Sequence, residues 1–196
     1  YKNKNMKKIV ITGGLGYIGT ELCKLYSGEA WYKNIVVVDN RFVSERVKQL
    51  RDWGFNFIQG DILDKNFMNK LLKGADVVYH FAGVTDVAYT KLEENFGQNE
   101  LIEKVGVEGS RNVINNVPKH CKLLFPSTHV VYEGFNETKY DVGENEPTTP
   151  ILTYSKGKDQ TEKDLKKSKL NYTILRLASV YGYSKDTMRI GIMPNL

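Results

Sequence analysis

The sequence has little cysteine and no long apolar run. Its 196 residues contain two cysteines, Cys23 in a predicted helix and Cys121 at the start of a predicted strand. Neither has further ligands at metal-binding spacing, so we expect no metal site and interpret both as small core residues. No apolar run approaches the length that spans a bilayer, and so few cysteines suit a reducing compartment. We therefore expect a cytoplasmic protein with no membrane partner.

The sequence also lacks a basic face interleaved with aromatic residues. The formal net charge is +5, but the lysines concentrate near the start of the chain and along one late helix. Such stretches usually form a solvated surface, so we expect no nucleic-acid partner. Apolar residues make up 41% and charged residues 26% of the chain, which is typical of a globular protein with a sizeable core.

What the sequence does have is an alternation of short apolar runs with helical segments. Strands are predicted over 8–12, 34–39, 55–59, 76–81 and 172–177, with 122–126 leading into the fifth. Helices are predicted over 17–26, 44–53, 64–73, 95–117 and 153–168, and 133–150 reads as a polar loop. Continuous apolar strands alternating with helices predict an α/β fold, a Rossmann-type doubly wound parallel sheet.

A glycine-rich turn, TGGLGYIG, follows the first strand and opens a helix. Gly13 permits the tight turn, Gly16 lets the backbone approach a pyrophosphate, and Gly19 lets helix and strand pack closely. The helix N-terminus offers free N–H groups and the positive end of its dipole to the phosphates. We expect a dinucleotide to bind here, and we count Tyr17 and Ile18 in its site.

Asp39 ends the second strand, about 20 residues after the glycine turn, as the dinucleotide fingerprint requires. A carboxylate at this place accepts hydrogen bonds from both ribose hydroxyls and repels a 2′-phosphate, which favours NAD over NADP as cofactor. Asn40 follows it and is counted in the cofactor site. Arg41 is able to hold a phosphate, so NADP stays open.

Tyr154 and Lys158 stand four residues apart on a predicted helix and therefore share a face. A free tyrosine has a pKa of about 10, too high for a base at neutral pH, but a nearby ammonium favours the phenolate. A tyrosine in that setting can take a hydroxyl proton while hydride leaves for a nicotinamide. Such a pair is common on any helix surface, and it indicates catalysis here only in combination with the cofactor motifs.

Together with Gly60–Asp61–Ile62, His80–Phe81–Ala82–Gly83 and Thr128, these motifs resemble the extended short-chain dehydrogenase/reductases. Within that family the chain is most similar to the NAD-dependent sugar-nucleotide epimerases and dehydratases. The resemblance implies that Asp61 accepts a hydrogen bond from the adenine amino group and that Ile62 offers a backbone contact to the same ring. It also implies that Phe81, Ala82 and Gly83 line the path of the pyrophosphate and ribose.

The resemblance completes a catalytic set. It implies that Lys158 also binds the nicotinamide ribose. It further implies that Thr128 hydrogen-bonds the reacting oxygen and shares its proton with Tyr154. Ser127 is the rival hydroxyl for that role. We interpret His80 as a buried residue at a strand end, not as a ligand or base.

Two departures from the family pattern stand out. Gly106 occupies a place where the family often has Asn, and a glycine within a helix lowers its stability. The 4,6-dehydratases of the family carry an acidic pair after the catalytic Thr, whereas this chain has His129 and Val130. Valine neither donates nor accepts a proton, so the sequence favours epimerisation or simple redox chemistry over loss of water.

The resemblance implies that residues 6–177 form the NAD-binding and catalytic domain and that 178–196 begin a smaller, truncated substrate domain. It also implies a homodimer built on the helices at about 95–117 and 153–168. We interpret the chain as a nucleotide-sugar epimerase that uses NAD, with Tyr154 as base. The alternatives are an NAD(P)-dependent reductase or dehydrogenase, a nucleotide-sugar dehydratase and a non-catalytic NAD-binding regulator.

Overall fold

The computed structural model describes residues 7–28, 34–84 and 96–180. Within these ranges the strands are β1 Ile9–Thr12, β2 Ile35–Asp39, β3 Asn56–Gln59, β4 Val77–His80, β5 Lys122–Thr128 and β6 Asn171–Leu177. The α-helices are α1 Tyr17–Ser27, α2 Ser44–Asp52, α3 Lys65–Leu72, α4 Phe96–Glu103, α5 Ser110–Asn116 and α6 Thr153–Lys167. A π-helical segment, Lys104–Gly109, joins α4 to α5, and a 3₁₀ helix, His129–Tyr132, follows β5.

The strands form one parallel sheet in the order β3-β2-β1-β4-β5-β6. The predicted Rossmann-type sheet is therefore confirmed. The strand order reverses between β1 and β4, where Thr12 lies opposite His80. In open α/β sheets, ligands bind in the crevice outside the carboxyl ends of the strands at this switch point. The same crevice receives the glycine turn that follows β1.

Side chains of β1 explain why the apolar runs are continuous. Val10 packs in a cluster with α3, α5 and α6, whereas Ile9 and Ile11 pack on the opposite face against α1 and α2. Because successive side chains point to opposite faces, a sheet covered on both sides needs an apolar residue at every position. Cys23 and Cys121 are both buried and free, as expected for small core residues.

The helix predicted over 95–117 is present among the described residues as helical structure over 96–116, with a π-helical segment in its middle. A Cβ at Gly109 would lie 2.5 Å from Cδ1 of Ile62, so the helix passes very close to the turn after β3. The carbonyl of Gly106 accepts a hydrogen bond from Thr161 Oγ1 at 3.1 Å. The π-helical segment thus has a hydrogen-bond donor for the Gly106 carbonyl and lies in close contact with Ile62.

Strand β5 runs two residues further than the predicted 122–126. It pairs with β4 only as far as Leu124, and from Phe125 onward it pairs only with β6. A residue without an N–H is tolerated at such a one-sided stretch, which accounts for Pro126. Of the segment predicted to begin the substrate domain, 181–196 lie outside the described residues. No helix among the residues described is long and apolar enough to span a bilayer.

Candidate active site

The glycine turn lies directly against the end of β4. Gly13 has φ +69°, and a Cβ there would lie 2.6 Å from the backbone nitrogen of Ala82. A Cβ on Gly19 would lie 2.6 Å from the carbonyl oxygen of Gly13. Gly16 is the N-cap residue of α1, and glycine has no side chain with which to cap the first turn. The N–H groups of that turn, which begins at Tyr17 and Ile18, suit a diphosphate.

Two buried charged residues, Asp39 and Arg46, hold the glycine turn in place through hydrogen bonds to Leu15. The backbone N–H of Leu15 donates to Asp39 Oδ2 at 3.1 Å, and the carbonyl of Leu15 accepts from Arg46. Arg46 also donates to Thr20 Oγ1 at 3.0 Å, and only 4% of the residue is exposed. Sequence reasoning missed Arg46, because nothing in the charged helix α2 distinguishes it from its solvated neighbours.

Asp39 is also paired with Arg41. Its Oδ1 accepts from the backbone N–H and from Nε of Arg41, each at 3.1 Å. Asn40 is exposed, and its carbonyl accepts from Gln59 Nε2 at 3.1 Å. Arg41, which could bind a 2′-phosphate, is thus paired with Asp39, whose carboxylate would repel that phosphate.

The residues expected near adenine are held by α5. Asp61 Oδ1 accepts from the Leu63 N–H at 2.9 Å, so its carboxylate closes the turn after β3. The side chain of Ile62 is buried in the core, and its carbonyl accepts from Asn112 Nδ2 at 3.0 Å. Asn112 also donates to the Leu63 carbonyl at 3.1 Å and thereby pins this turn to α5.

At the end of β4, a buried histidine links the turn after β1 to α5. Thr12 Oγ1 accepts from the Ala82 N–H at 3.2 Å and lies 2.9 Å from His80 Nδ1. His80 Nε2 lies 2.9 Å from Ser110 Oγ. Burial, and secondarily the charge of Lys158, lower the pKa of His80 to about 3, so the ring is neutral. His80 is therefore a buried structural residue, as predicted.

A cavity beyond β4 brings the predicted catalytic pair together with the end of that strand. Its lining comprises Ala82, Gly83, Val84, Ile102, Gly106, Ser110, Phe125, Tyr154, Gly157 and Lys158. The side chain of Phe81 instead packs beneath the sheet, with its ring 5.8 Å from that of Tyr79. A Cβ at Gly106 would meet no described heavy atom within 4 Å, so the missing Asn side chain leaves open space in this cavity.

The ammonium of Lys158 lies close to the rings of Tyr154 and Phe125. Its Nζ is 5.8 Å from the ring centroid of Tyr154 and 4.7 Å from that of Phe125. It also donates to the Pro126 carbonyl at 2.8 Å. Burial lowers the pKa of Lys158 to about 8. The arrangement holds an ammonium next to the phenol, which favours loss of the phenolic proton.

Burial of Lys158 predicts a pH-dependent stability difference for Lys158→Met. Its pKa falls from 10.5 in the unfolded chain to about 8 in the folded one. The unfolded state therefore binds more protons between these values, so stability rises with pH in that window. At pH 7 the variant should be about 1–2 kcal/mol more stable, a figure reduced for partial exposure. Urea unfolding of both proteins at pH 7 and at pH 9.5 measures this difference, which should shrink at the higher pH. A stability difference that is the same at both pH values would contradict the lowered pKa of Lys158.

The two candidate hydroxyls at the end of β5 differ in their surroundings. Both residues are buried. Ser127 donates to Glu162 Oε1 at 2.5 Å, and Glu162 is in turn paired with Arg176. Thr128 Oγ1 accepts from the Val130 N–H at 3.2 Å, which leaves its own O–H able to donate. Of the residues described, the cavity lining includes neither hydroxyl. Ser127 is committed to the buried ion pair, so Thr128 is the better candidate.

Neither of the two positions after Thr128 carries a carboxylate. His129 Nδ1 lies 3.2 Å from the Leu177 carbonyl, which can only accept, so this nitrogen carries the proton. Val130 contributes its backbone N–H to the cap on Thr128. His129 thus links the end of β5 to the end of β6, and Val130 takes part in the cap of the 3₁₀ helix.

Comparisons with known proteins identify the family of the chain. The NAD dependent epimerase/dehydratase family matches residues 9–195. The chain belongs to this family, whose members are NAD-dependent enzymes, and the predicted family and cofactor are confirmed.

The relatives catalyse several reactions. The chain is 24% identical over 198 residues to a dTDP-D-glucose 4,6-dehydratase of Dictyostelium discoideum, covering 90% of this chain and 44% of the relative. It is 35% identical over 129 residues to a UDP-N-acetyl-alpha-D-glucosaminuronate decarboxylase of Bacillus cytotoxicus, covering 64% and 38%. The crystal structure of UDP-glucose 4-epimerase from Brucella ovis in complex with NAD superposes with a TM-score of 0.71 at 25% identity, covering 89% and 51%. The chain thus spans about half the length of its relatives or less.

Proposed function

We propose that the chain is the NAD-binding and catalytic part of a nucleotide-sugar epimerase. The observation that carries the proposal is the Tyr154–Lys158 pair in a cavity beside β4, combined with His129 and Val130 where a dehydratase has its acids. A nucleotide-sugar substrate, a homodimer built on α4, α5 and α6, and a cytoplasmic location belong to the same proposal. The similarity to an NAD-bound 4-epimerase supports it.

The described residues fit NAD. The uncapped first turn of α1, where a Cβ on Gly16 would lie 3.1 Å from the Gly13 carbonyl oxygen, would receive the diphosphate. Asp39 would accept from the adenosine ribose, and Asp61 and Ile62 would flank the adenine. Ala82, Gly83 and Lys158 would lie along the nicotinamide half. Bound NAD would supply the hydride acceptor and donor for a transient oxidation of the sugar.

The chain's own residues manage the proton. Tyr154, as phenolate, takes the proton of the sugar hydroxyl that is oxidised, and it returns a proton after the ring has turned over. Lys158 holds positive charge beside the phenolate in a buried setting, where that charge acts strongly. The O–H of Thr128 donates to the reacting oxygen and keeps it within reach of Tyr154.

Liquid chromatography coupled to mass spectrometry, on nucleotide sugars incubated with NAD and the full-length protein that contains this chain, separates isomers of equal mass and tests the proposal. A new isomer of unchanged mass supports it and identifies the sugar. A product lighter by one water would show that His129 and Val130 do not prevent dehydration. Absence of any product from every sugar tried would overturn the proposal in favour of a net reductase or a non-catalytic NAD binder.

The Asp39–Arg41 pair predicts cofactor selectivity. Asp39→Asn keeps an acceptor for the Leu15 N–H, removes the charge that repels a 2′-phosphate and releases Arg41. The ratio of NADP affinity to NAD affinity should rise at least about tenfold, as expected for one charge-assisted hydrogen bond. Titration calorimetry with both dinucleotides measures it. A double variant that also carries Arg41→Ala should lose the gain, and an unchanged NADP affinity in Asp39→Asn would exclude Arg41 as a phosphate ligand.

A further inference from the structure

The helix that carries the proposed base begins without a capping side chain of its own. Leu152 is the N-cap residue of α6, and leucine has no hydrogen-bond acceptor in its side chain. Helix N-termini usually need such an acceptor for their free N–H groups. Tyr154 lies in the first turn of α6, where fraying would move the phenol most.

Glu133, from the far end of the preceding loop, holds the residues at which the helix begins. Its Oε1 accepts from the backbone N–H groups of Ile151 and Leu152, each at 2.7 Å. The hydroxyl of Ser155 donates to the same oxygen. The carboxylate also complements the positive end of the helix dipole. One side chain thus fixes the residues on both sides of Tyr154.

The same residue ends the 3₁₀ helix that follows Thr128. The Glu133 N–H donates to the Val130 carbonyl at 3.1 Å, and the Val130 N–H donates to Thr128 Oγ1. The backbone of Glu133 is therefore tied to the turn that Thr128 caps, while its carboxylate is tied to α6.

Backbone pairing makes this link rigid. The Gly134 N–H donates to the Thr149 carbonyl at 2.9 Å, and the Thr149 N–H donates to the Val131 carbonyl at 2.8 Å. A Cβ on Gly134 would lie 2.4 Å from that Thr149 oxygen, so the two ends of the loop are in close contact. The backbone from which the Glu133 side chain extends is therefore held in place.

We propose that Glu133 is a positioning residue, whose carboxylate sets the separation of Thr128 and Tyr154 by joining the turn after β5 to the first turn of α6. This inference rests on the proposed function, because it concerns the two groups to which that function assigns the reacting oxygen. The proposal gives Glu133 no direct part in the proton transfer. Its effect should therefore fall on the rate of the chemical step and not on binding.

The test compares Glu133→Ala and Glu133→Gln in the full-length protein, with Tyr154→Phe as the reference for the chemistry. Glu137→Ala, which removes an exposed carboxylate of the same loop, is the matched control. The readouts are kcat and KM with UDP-glucose, or with the sugar identified by mass spectrometry. Two further readouts are the affinity for NAD by calorimetry and amide exchange in the first turn of α6.

Glu133→Ala should lower kcat about 10- to 100-fold, because small misplacements of reacting groups have effects of that size. KM and the Kd of NAD should change less than about threefold, since binding groups are untouched. Amide exchange at Tyr154 should become faster. Glu133→Gln, which keeps a neutral acceptor at the same place, should recover most of kcat, and Glu137→Ala should match the wild type.

Two results would overturn the inference while leaving the proposed function intact. One is a wild-type kcat in Glu133→Ala when Tyr154→Phe is inactive. The other is a loss in Glu133→Ala that falls equally on NAD affinity and melting temperature and is not restored by Gln, which would indicate a general structural role. Turnover that survives in Tyr154→Phe would instead refute the proposed function.

Discussion

Tyr154→Phe should lower kcat by about 100- to 10,000-fold, the usual contribution of a positioned general base. The substitution removes only the phenolic oxygen, so the ring beside Lys158 remains in place. The affinity for NAD should stay within about twofold, because no cofactor-binding group is changed. Steady-state kinetics on the identified sugar and calorimetry with NAD measure the two quantities in the full-length protein.

Tyr140→Phe provides a matched control. Tyr140 lies in the loop before α6 and is 86% exposed, so the same chemical change there should leave kcat unaltered. If Tyr154→Phe also retained full activity, the base would have to be another group. A Thr128→Val variant would then be the next one to measure.

The sequence predicts those parts of the site that depend on local pattern. The glycine turn, Asp39 and the Tyr154–Lys158 spacing each lie within one strand–turn–helix unit, where periodicity and chain geometry decide the outcome. These features need no knowledge of the remaining chain.

Contacts between distant segments are what the sequence does not predict. Arg46 reaches the Leu15 carbonyl across 31 positions, and Glu133 reaches Leu152 across 19. Each residue looks like an ordinary surface charge within its own segment. The close approach of Gly109, in the π-helical segment, to Ile62 is a similar case, because it joins residues far apart in the chain.

Gly13→Ala and Gly74→Ala separate backbone strain from a steric conflict at the cofactor site. Both glycines have positive φ, +69° and +71°, so alanine is strained at either position. A Cβ at Gly74 meets no described atom within 4 Å, whereas one at Gly13 would overlap the backbone of Ala82. Gly74→Ala should therefore lower the free energy of unfolding by only about 1–2 kcal/mol and leave NAD affinity unchanged.

Gly13→Ala should lower that free energy further, because the turn and the end of β4 must separate. The separation moves the N–H groups that would meet the diphosphate. Loss of one hydrogen bond to a charged group weakens binding by about 1.5–3 kcal/mol, so NAD affinity should fall about 10- to 150-fold. Urea unfolding and calorimetry on both variants give the comparison. Equal NAD affinity in the two variants would mean that the close contact between Gly13 and Ala82 does not shape the cofactor site, and the diphosphate would then have to bind elsewhere than at this turn.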